Sequence, residues 1–248
     1  KGFRIDSDTD NGQWADFPTL GVDANGVYLA ANMYSIIGGS LHSVTILSIP
    51  KADLTGTTPT IANHKIFENE NASTRGFALQ PAIDFGSSDT GGACSGSRAA
   101  ILAVDADDLS HINRTSVCGA GDANATLASS TDITIQTYQL PPSAKQPGGI
   151  QGLDTDWRFS GSVFEQGNVL WAVHNISVED RAALRWYKID ESTDEVIQSG
   201  EIRDPNADLY YSSVAANSDG EVIIGFSRSN TSTTDPKGYV SAYAVAGG

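Results

Sequence analysis

Three aspartates stand two residues apart ahead of a glycine in the run Asp6-Ser7-Asp8-Thr9-Asp10-Asn11-Gly12. Alternate carboxylates on a loop converge on one point and the glycine permits a tight turn, which is the oxygen-rich environment a hard Ca2+ ion takes. The run departs from an EF-hand loop, because its glycine is one place late and Phe17 stands where the closing glutamate belongs. The expectation is therefore a short calcium turn built from Asp6, Asp8 and Asp10, against the plainer alternative of a solvated acidic loop. Ca2+ is the one cofactor the sequence suggests. It contains no P-loop, dinucleotide fingerprint or nucleophile elbow, and His42, His64 and His111 are scattered without metal spacing.

A second set of residues could act on a sugar. Asp16 lies two residues after Trp14, and Arg158 directly after Trp157. Indole faces stack on sugar rings while charged groups bind hydroxyls or a carboxylate. His174 is the nearby side chain whose proton is most easily moved near neutral pH. Asp16, Arg158 and His174 are accordingly the candidate catalytic residues, and framework ion pairs and blade packing are the competing account of them. The carboxylate pair of a glycoside hydrolase stands about 5–10 Å apart. With 30 acidic residues the sequence alone does not choose a pair, and Asp16, Asp84 and Asp156 are the first trio to inspect.

These residues must be held by something, and the chain repeats one hairpin. Copies run from Phe17 to Met33, from Phe159 to Ile176 and from Tyr211 to Arg228, with a weaker one at Gln80–Ser87 resuming at Ala99–Ala106. Each has a small-residue run, a turn rich in Gly, Asn or Asp, and a β-branched run, the mark of a repeat architecture. Aligned, they make Pro18, Pro81, Ser160 and Ser212 equivalent, place Asp16, Arg158 and Tyr210 at one position, and match His174 with Asn32. Each module parses into four strands with the small residues innermost, where propeller strands crowd the axis. The fold expected is an all-β propeller forming one domain over residues 1–248, most simply four blades of four antiparallel strands. Gly2–Asp6 would then close the last blade beside Tyr239–Val245 and remove its open edge. Five blades, with the extra one inside Cys118–Pro142, or part of a larger propeller are the alternatives.

The runs Trp14-ADFPTLGVDANGVYLAANM-Tyr34, Trp157-RFSGSVFEQGNVLWAVH-Asn175 and Val196-IQSGEIRDPNADLYYSSVAANSDGEVIIGFSRS-Asn230 resemble a group of secreted, largely uncharacterised β-propeller proteins. Their blade hairpins share the pattern D-F/Y-P-x-L-G-V followed by V-Y-L-x-x-N. The resemblance implies a propeller over nearly the whole chain. It implies no activity, because the shared positions are framework. The sialidase Asp-box and the WD40 and kelch signatures are absent.

Composition narrows the setting. A formal charge of −15 opposes nucleic acid and anionic membranes as partners, and no apolar run is long enough to span a bilayer. Lys1–Thr9 is polar and strand-like rather than a signal peptide, so the chain reads as a mature or trimmed product. Cys94 and Cys118 flank two adjacent strands and fit a disulfide, with two free buried thiols as the alternative. Asn-X-Ser/Thr sequons at Asn71, Asn113, Asn124, Asn175 and Asn230 add candidate glycosylation sites. Together these features predict a secreted glycoprotein. Its expected role is non-catalytic, binding an extracellular glycan or protein or serving in structural assembly. The alternative is a polysaccharide-active hydrolase or lyase with its site at the propeller mouth.

Overall fold

The computed structural model describes residues 1–86, 89–91, 94–105, 107–149, 152–234 and 238–247. Ser87 and Ala106, which end the two halves of the weaker repeat copy, lie outside them. The chain is all-β, and among the described residues it has two short helices, α1 (Lys51–Thr55) and α2 (Ala72–Arg75). Its strands form four antiparallel units in sequence order. The first holds β1 (Gln13–Val22), β2 (Gly26–Ser35), β3 (Leu41–Pro50) and β4 (Lys65–Glu70). The second holds β5 (Phe77–Pro81), β7 (Asp89–Gly91), β8 (Cys94–Val104), β9 (His111–Cys118), β10 (Thr126–Leu127) and β11 (Thr131–Thr134), while the short β6 (Ile83–Asp84) that follows β5 pairs outside it. The third is β12 (Phe164–Gln166), β13 (Val169–Val178), β14 (Arg181–Asp190) and β15 (Glu195–Ile202). The last is a three-stranded sheet of β16 (Asp208–Ala216), β17 (Val222–Ser229) and β18 (Ser241–Gly247).

The first strands of these units lie side by side. Val22 and Phe164 both pair in parallel with Ile83, so β6 joins the first and third units into one nine-stranded sheet. Side chains then link each inner strand to the next. Thr19 Oγ1 donates to the Leu79 carbonyl at 2.6 Å, Gln80 Nε2 to that of Phe159 at 2.8 Å, and Ser160 Oγ to that of Ser212 at 3.4 Å. The approach is close enough to require glycine at position 21, where a Cβ would lie 2.5 Å from the Ala82 carbonyl oxygen. Antiparallel units fanned about adjacent parallel inner strands are the arrangement of propeller blades.

Three apolar layers fill the spaces between the four units. Tyr28, Ala30 and Ile46 meet Leu79, Ile101 and Val117; Leu102, Ile112 and Ile133 meet Leu170, Ala172 and Tyr187; Trp171, Val173 and Leu184 meet Leu209, Val214 and Phe226. Strands between two layers are apolar on both faces, which explains the unbroken run Ala99–Val104. Strand β17 packs on one side only and alternates buried with exposed residues instead. Cys94 and Cys118 form the disulfide, with Cα atoms 5.2 Å apart, and tie β8 to the end of β9.

Several expectations need correction. Gly2–Asp6 forms no strand, and β18 is the edge of its sheet. The N-terminal residues instead lie on the first unit: Lys1 Nζ donates to the Pro59 carbonyl, Thr45 Oγ1 donates to that of Ser7, and Phe3 and Ile5 line an apolar groove of about 410 Å³ together with Leu29, Leu47 and Ile66. The segment Cys118–Pro142 builds no separate sheet among the described residues, since β10 and β11 both pair with β9. Finally, bulges fall between Asp16 and Thr19, Phe77 and Gln80, and Tyr210 and Ser213. They make Leu79, rather than Pro81, the counterpart of Pro18 and Ser212.

Candidate functional site at the mouth of the inner strands

Each of those three bulges holds a non-glycine residue in the left-handed region: Phe17 at φ 52°, Ala78 at 54° and Tyr211 at 51°. A bulge re-aims the side chain it carries, and an aromatic residue in this conformation is strained by about 1–3 kcal/mol. Strain repeated at one level of three strands marks a place where side-chain direction is being set. The Asn32 side chain helps hold it, accepting a hydrogen bond from the Ala78 amide at 3.0 Å. The third unit enters the same region through Asp154–Arg158, with Asp156 at φ 43°.

Arg158 is the hub. Its Nε and Nη2 donate to the two carboxylate oxygens of Asp156 at 2.6 and 2.7 Å, the bidentate geometry that suits a guanidinium. Its plane lies over Phe17, 4.4 Å from the ring centre, and near Phe77 at 5.2 Å. Trp157 stacks on Phe77 in turn, with centroids 6.1 Å apart. One cation thus draws together the inner strands of three units. Burial alone would pull its pKa down, but the bond to Asp156 and the nearby Tyr34 and Asp16 overcome this and raise it.

Around this hub the mouth is open and aromatic. Trp14 is 48 % exposed and stacks on its cross-strand partner Tyr34 at 5.2 Å. Burial raises the Tyr34 hydroxyl pKa, and the Asp16 carboxylate raises it further while Arg158 opposes. Tyr211 is 44 % exposed and donates to Asp154 Oδ2 at 3.1 Å. Its pKa is also raised, by burial first and then by Asp154. Both phenols therefore stay protonated donors at neutral pH. With Arg158 occupied by Asp156, the carboxylates of Asp16 and Asp154 leave the mouth net negative.

The structure brings Asp16 and Arg158 into one electrostatic neighbourhood but not His174. His174 is 0 % exposed. Its Nδ1 lies 3.0 Å from the Trp157 carbonyl and its Nε2 2.9 Å from the Tyr187 hydroxyl, with Tyr138 edge-on to the ring. Burial holds its pKa down at about 4, against the partial support of the Trp157 carbonyl. It is a neutral packing residue with both nitrogens engaged. Asp84 follows Ile83 and so lies at the far ends of the inner strands, where it accepts from the Gly86 amide; the trio of Asp16, Asp84 and Asp156 does not converge. Tyr210 points inward and donates to Ser229 Oγ at 3.1 Å, so its neighbour Tyr211 is the residue that faces the mouth.

At the N-terminal turn, Asp8 Oδ2 accepts the Gln13 amide at 2.6 Å and Asp6 Oδ1 that of Asp8 at 3.2 Å. These are turn-forming bonds of aspartate to its own backbone. Among the described residues no cluster of three or more His, Cys, Asp or Glu is placed to hold a metal, the group Asp6, Asp8 and Asp10 included. Of the sequons, Asn71 and Asn124 are exposed, whereas Asn113, Asn175 and Asn230 are buried. The Asn175 amide donates to the Leu209 carbonyl, and that of Asn113 to Asp132. A glycan needs open space around the amide nitrogen, so these three serve as framework. Among the described residues no helix is long and apolar enough to cross a membrane.

No family model matches the chain, and no curated protein matches it. Solved structures do. The β-propeller domain of the Trilobed protease from Pyrococcus furiosus is 12 % identical with a TM-score of 0.46, over 96 % of this chain and 55 % of that one. The endo-arabinase from Bacteroides thetaiotaomicron is 12 % identical with a TM-score of 0.46, over 99 % and 79 %. The acylaminoacyl peptidase of Pyrococcus horikoshii is 10 % identical with a TM-score of 0.45, over 96 % and 33 %. The chain thus spans only about half of the first and a third of the last.

Proposed function

We propose that this chain is a secreted, four-bladed propeller module that binds an extracellular carbohydrate at the mouth of its inner strands without turning it over. The observation that carries the reading is the exposed Trp14–Tyr34 stack beside Asp16, set among aromatic residues whose strained backbone fixes their direction. An indole face offers apolar contact to a sugar ring, and the Asp16 carboxylate and the two phenols offer hydroxyl partners. Disfavouring catalysis, the guanidinium is consumed by Asp156 and the one histidine near the mouth is sealed. The net negative mouth favours neutral over acidic glycans. The Cys94–Cys118 disulfide fits an oxidising compartment.

The test is calorimetric titration with neutral and acidic polysaccharides, with and without Ca2+, followed by an assay of the same mixtures for new reducing or unsaturated ends. Saturable binding of a neutral polysaccharide with no new ends supports the reading. New ends that vanish in Asp16→Asn replace it with the hydrolase or lyase alternative, and the absence of any glycan binding overturns both.

A further inference from the structure

A glycine follows an asparagine or aspartate at three places, Asn11–Gly12, Asn25–Gly26 and Asp219–Gly220. Glycine lacks the Cβ that would shield its amide nitrogen from the side-chain carbonyl before it. Such a pair closes into a five-membered imide when the glycine amide is free and the chain has room to turn. The fold treats the three pairs differently. Gly26 is buried and its amide donates to Asp23 Oδ1 at 2.6 Å. The Asn25 carbonyl accepts the Lys51 amide at 2.8 Å and lies against Gly121. The Gly220 amide donates to the Asn217 carbonyl at 3.1 Å. At the remaining pair both residues are exposed, and nothing lies within 4 Å of the place a Gly12 Cβ would take. Among the described residues the Gly12 amide has no acceptor, and the Asn11 side-chain nitrogen is held by one exposed bond, to the Thr9 carbonyl at 3.1 Å.

We propose that Asn11 is a site of spontaneous covalent modification, converting to isoaspartate in the folded protein. The Gly12 nitrogen attacks the Asn11 Cγ; the new N–Cγ bond replaces Cγ–Nδ2, and ammonia leaves carrying the amide proton. Water then opens the imide. Attack at Cγ gives aspartate, and attack at the Asn11 main-chain carbonyl carbon gives isoaspartate, in which the chain runs through Cγ. Either product has exchanged the ammonia lost for a water gained. Isoaspartate lengthens the backbone by a methylene and adds a carboxylate to the run that holds Asp8 and Asp10. The change falls at the start of β1, where the Gly12 carbonyl accepts the Ile36 amide at 3.0 Å and the Gln13 amide donates to Asp8 Oδ2 at 2.6 Å. The added length should loosen both bonds and fray the β1–β2 pair from this end.

The test incubates the intact protein in warm, mildly alkaline buffer and locates isoaspartate by peptide mapping with mass spectrometry and by enzymatic methylation of isoaspartyl carboxylates. A parallel sample is kept in urea, where both asparagines lose the protection of the fold. In the fold, conversion at Asn11 should run at least about tenfold faster than at Asn25, because Asn25 reacts only when its turn opens. In urea the two rates should be similar. Gly12→Ala fits the fold, since its Cβ meets nothing, and should slow conversion at Asn11 by about tenfold or more. The Ile36 amide should exchange with solvent deuterium faster in the aged protein than in the fresh one. Equal rates at Asn11 and Asn25 in the fold overturn the proposal, as does the absence of conversion at Asn11 in the fold once Asn25 has converted in urea.

Discussion

Replacing Glu191 should unfasten the second unit from the third. Its carboxylate is 1 % exposed and faces two guanidiniums, Arg98 Nη2 at 2.7 Å and Arg114 Nη2 at 2.5 Å. Arg98 also reaches the Asn168 side chain, and Arg114 also donates to the Glu191 carbonyl and pairs with Asp194. Both arginine side chains are almost wholly enclosed. Glu191→Gln keeps the shape and one acceptor oxygen but removes the charge that faces both guanidiniums, while Asp194 still answers Arg114. Breaking one partner of a buried ion pair costs about 3–5 kcal/mol, and the retained acceptor and Asp194 place this variant near the lower figure. Against a total stability of about 5–15 kcal/mol that is a large fraction. In urea, with a slope of about 3 kcal/mol/M, the midpoint should fall by about 1 M at unchanged slope. The triple replacement Arg98→Met, Arg114→Met, Glu191→Leu should recover most of the loss, because well-packed apolar groups leave no buried charge behind. A loss under about 1 kcal/mol for Glu191→Gln, or a triple variant as unstable as the single one, would refute this reasoning.

Acid should destabilise the fold through His174. Its pKa is about 4 in the fold against 6.5 for the free group, so as pH falls the unfolded chain takes up the proton first. The stabilisation is complete above pH 6.5, and about 3 kcal/mol of it is lost by pH 4. Urea midpoints at pH 7, 5.5 and 4 should therefore fall more steeply for the native chain than for His174→Gln, and parallel slopes would contradict the assignment. Reducing Cys94–Cys118 reopens a link of sequence separation 24 and should cost about 3 kcal/mol, read as a lower Tm in the presence of reductant. An unchanged Tm after verified reduction would show that the bridge adds nothing to the packing of β8 on β9.

How much of this was legible in the sequence depended on distance along the chain. The hairpins were readable because strand burial writes itself into neighbouring residues: Val222–Ser229 alternates under one-sided packing, and Ala99–Val104 is apolar under two-sided packing. The disulfide followed from two cysteines flanking adjacent strands. The sequence aligns Pro81 with Pro18 because the bulge at Ala78 is invisible to an alignment of side-chain types. The mouth was half visible. Asp16 and Arg158 share a repeat position, but that position points to Tyr210 rather than Tyr211 in the last unit, since a bulge swaps which neighbour faces outward. Asp156 and Arg158, two residues apart, could have been read as a local pair; Phe17 and Phe77, on other strands, could not. Glu191 gave no sequence signal at all, because its partners lie 93 and 77 residues away.

The central claim, a carbohydrate site at the mouth, is tested most directly by titrating the native protein and Trp14→Ala with the same neutral oligosaccharide by calorimetry. Trp14 is about half exposed and contributes little to the core, so its removal should leave the fold intact by circular dichroism. Affinity should fall at least about tenfold in the variant, as loss of an aromatic stacking face predicts. Equal affinity in the two proteins would contradict the account.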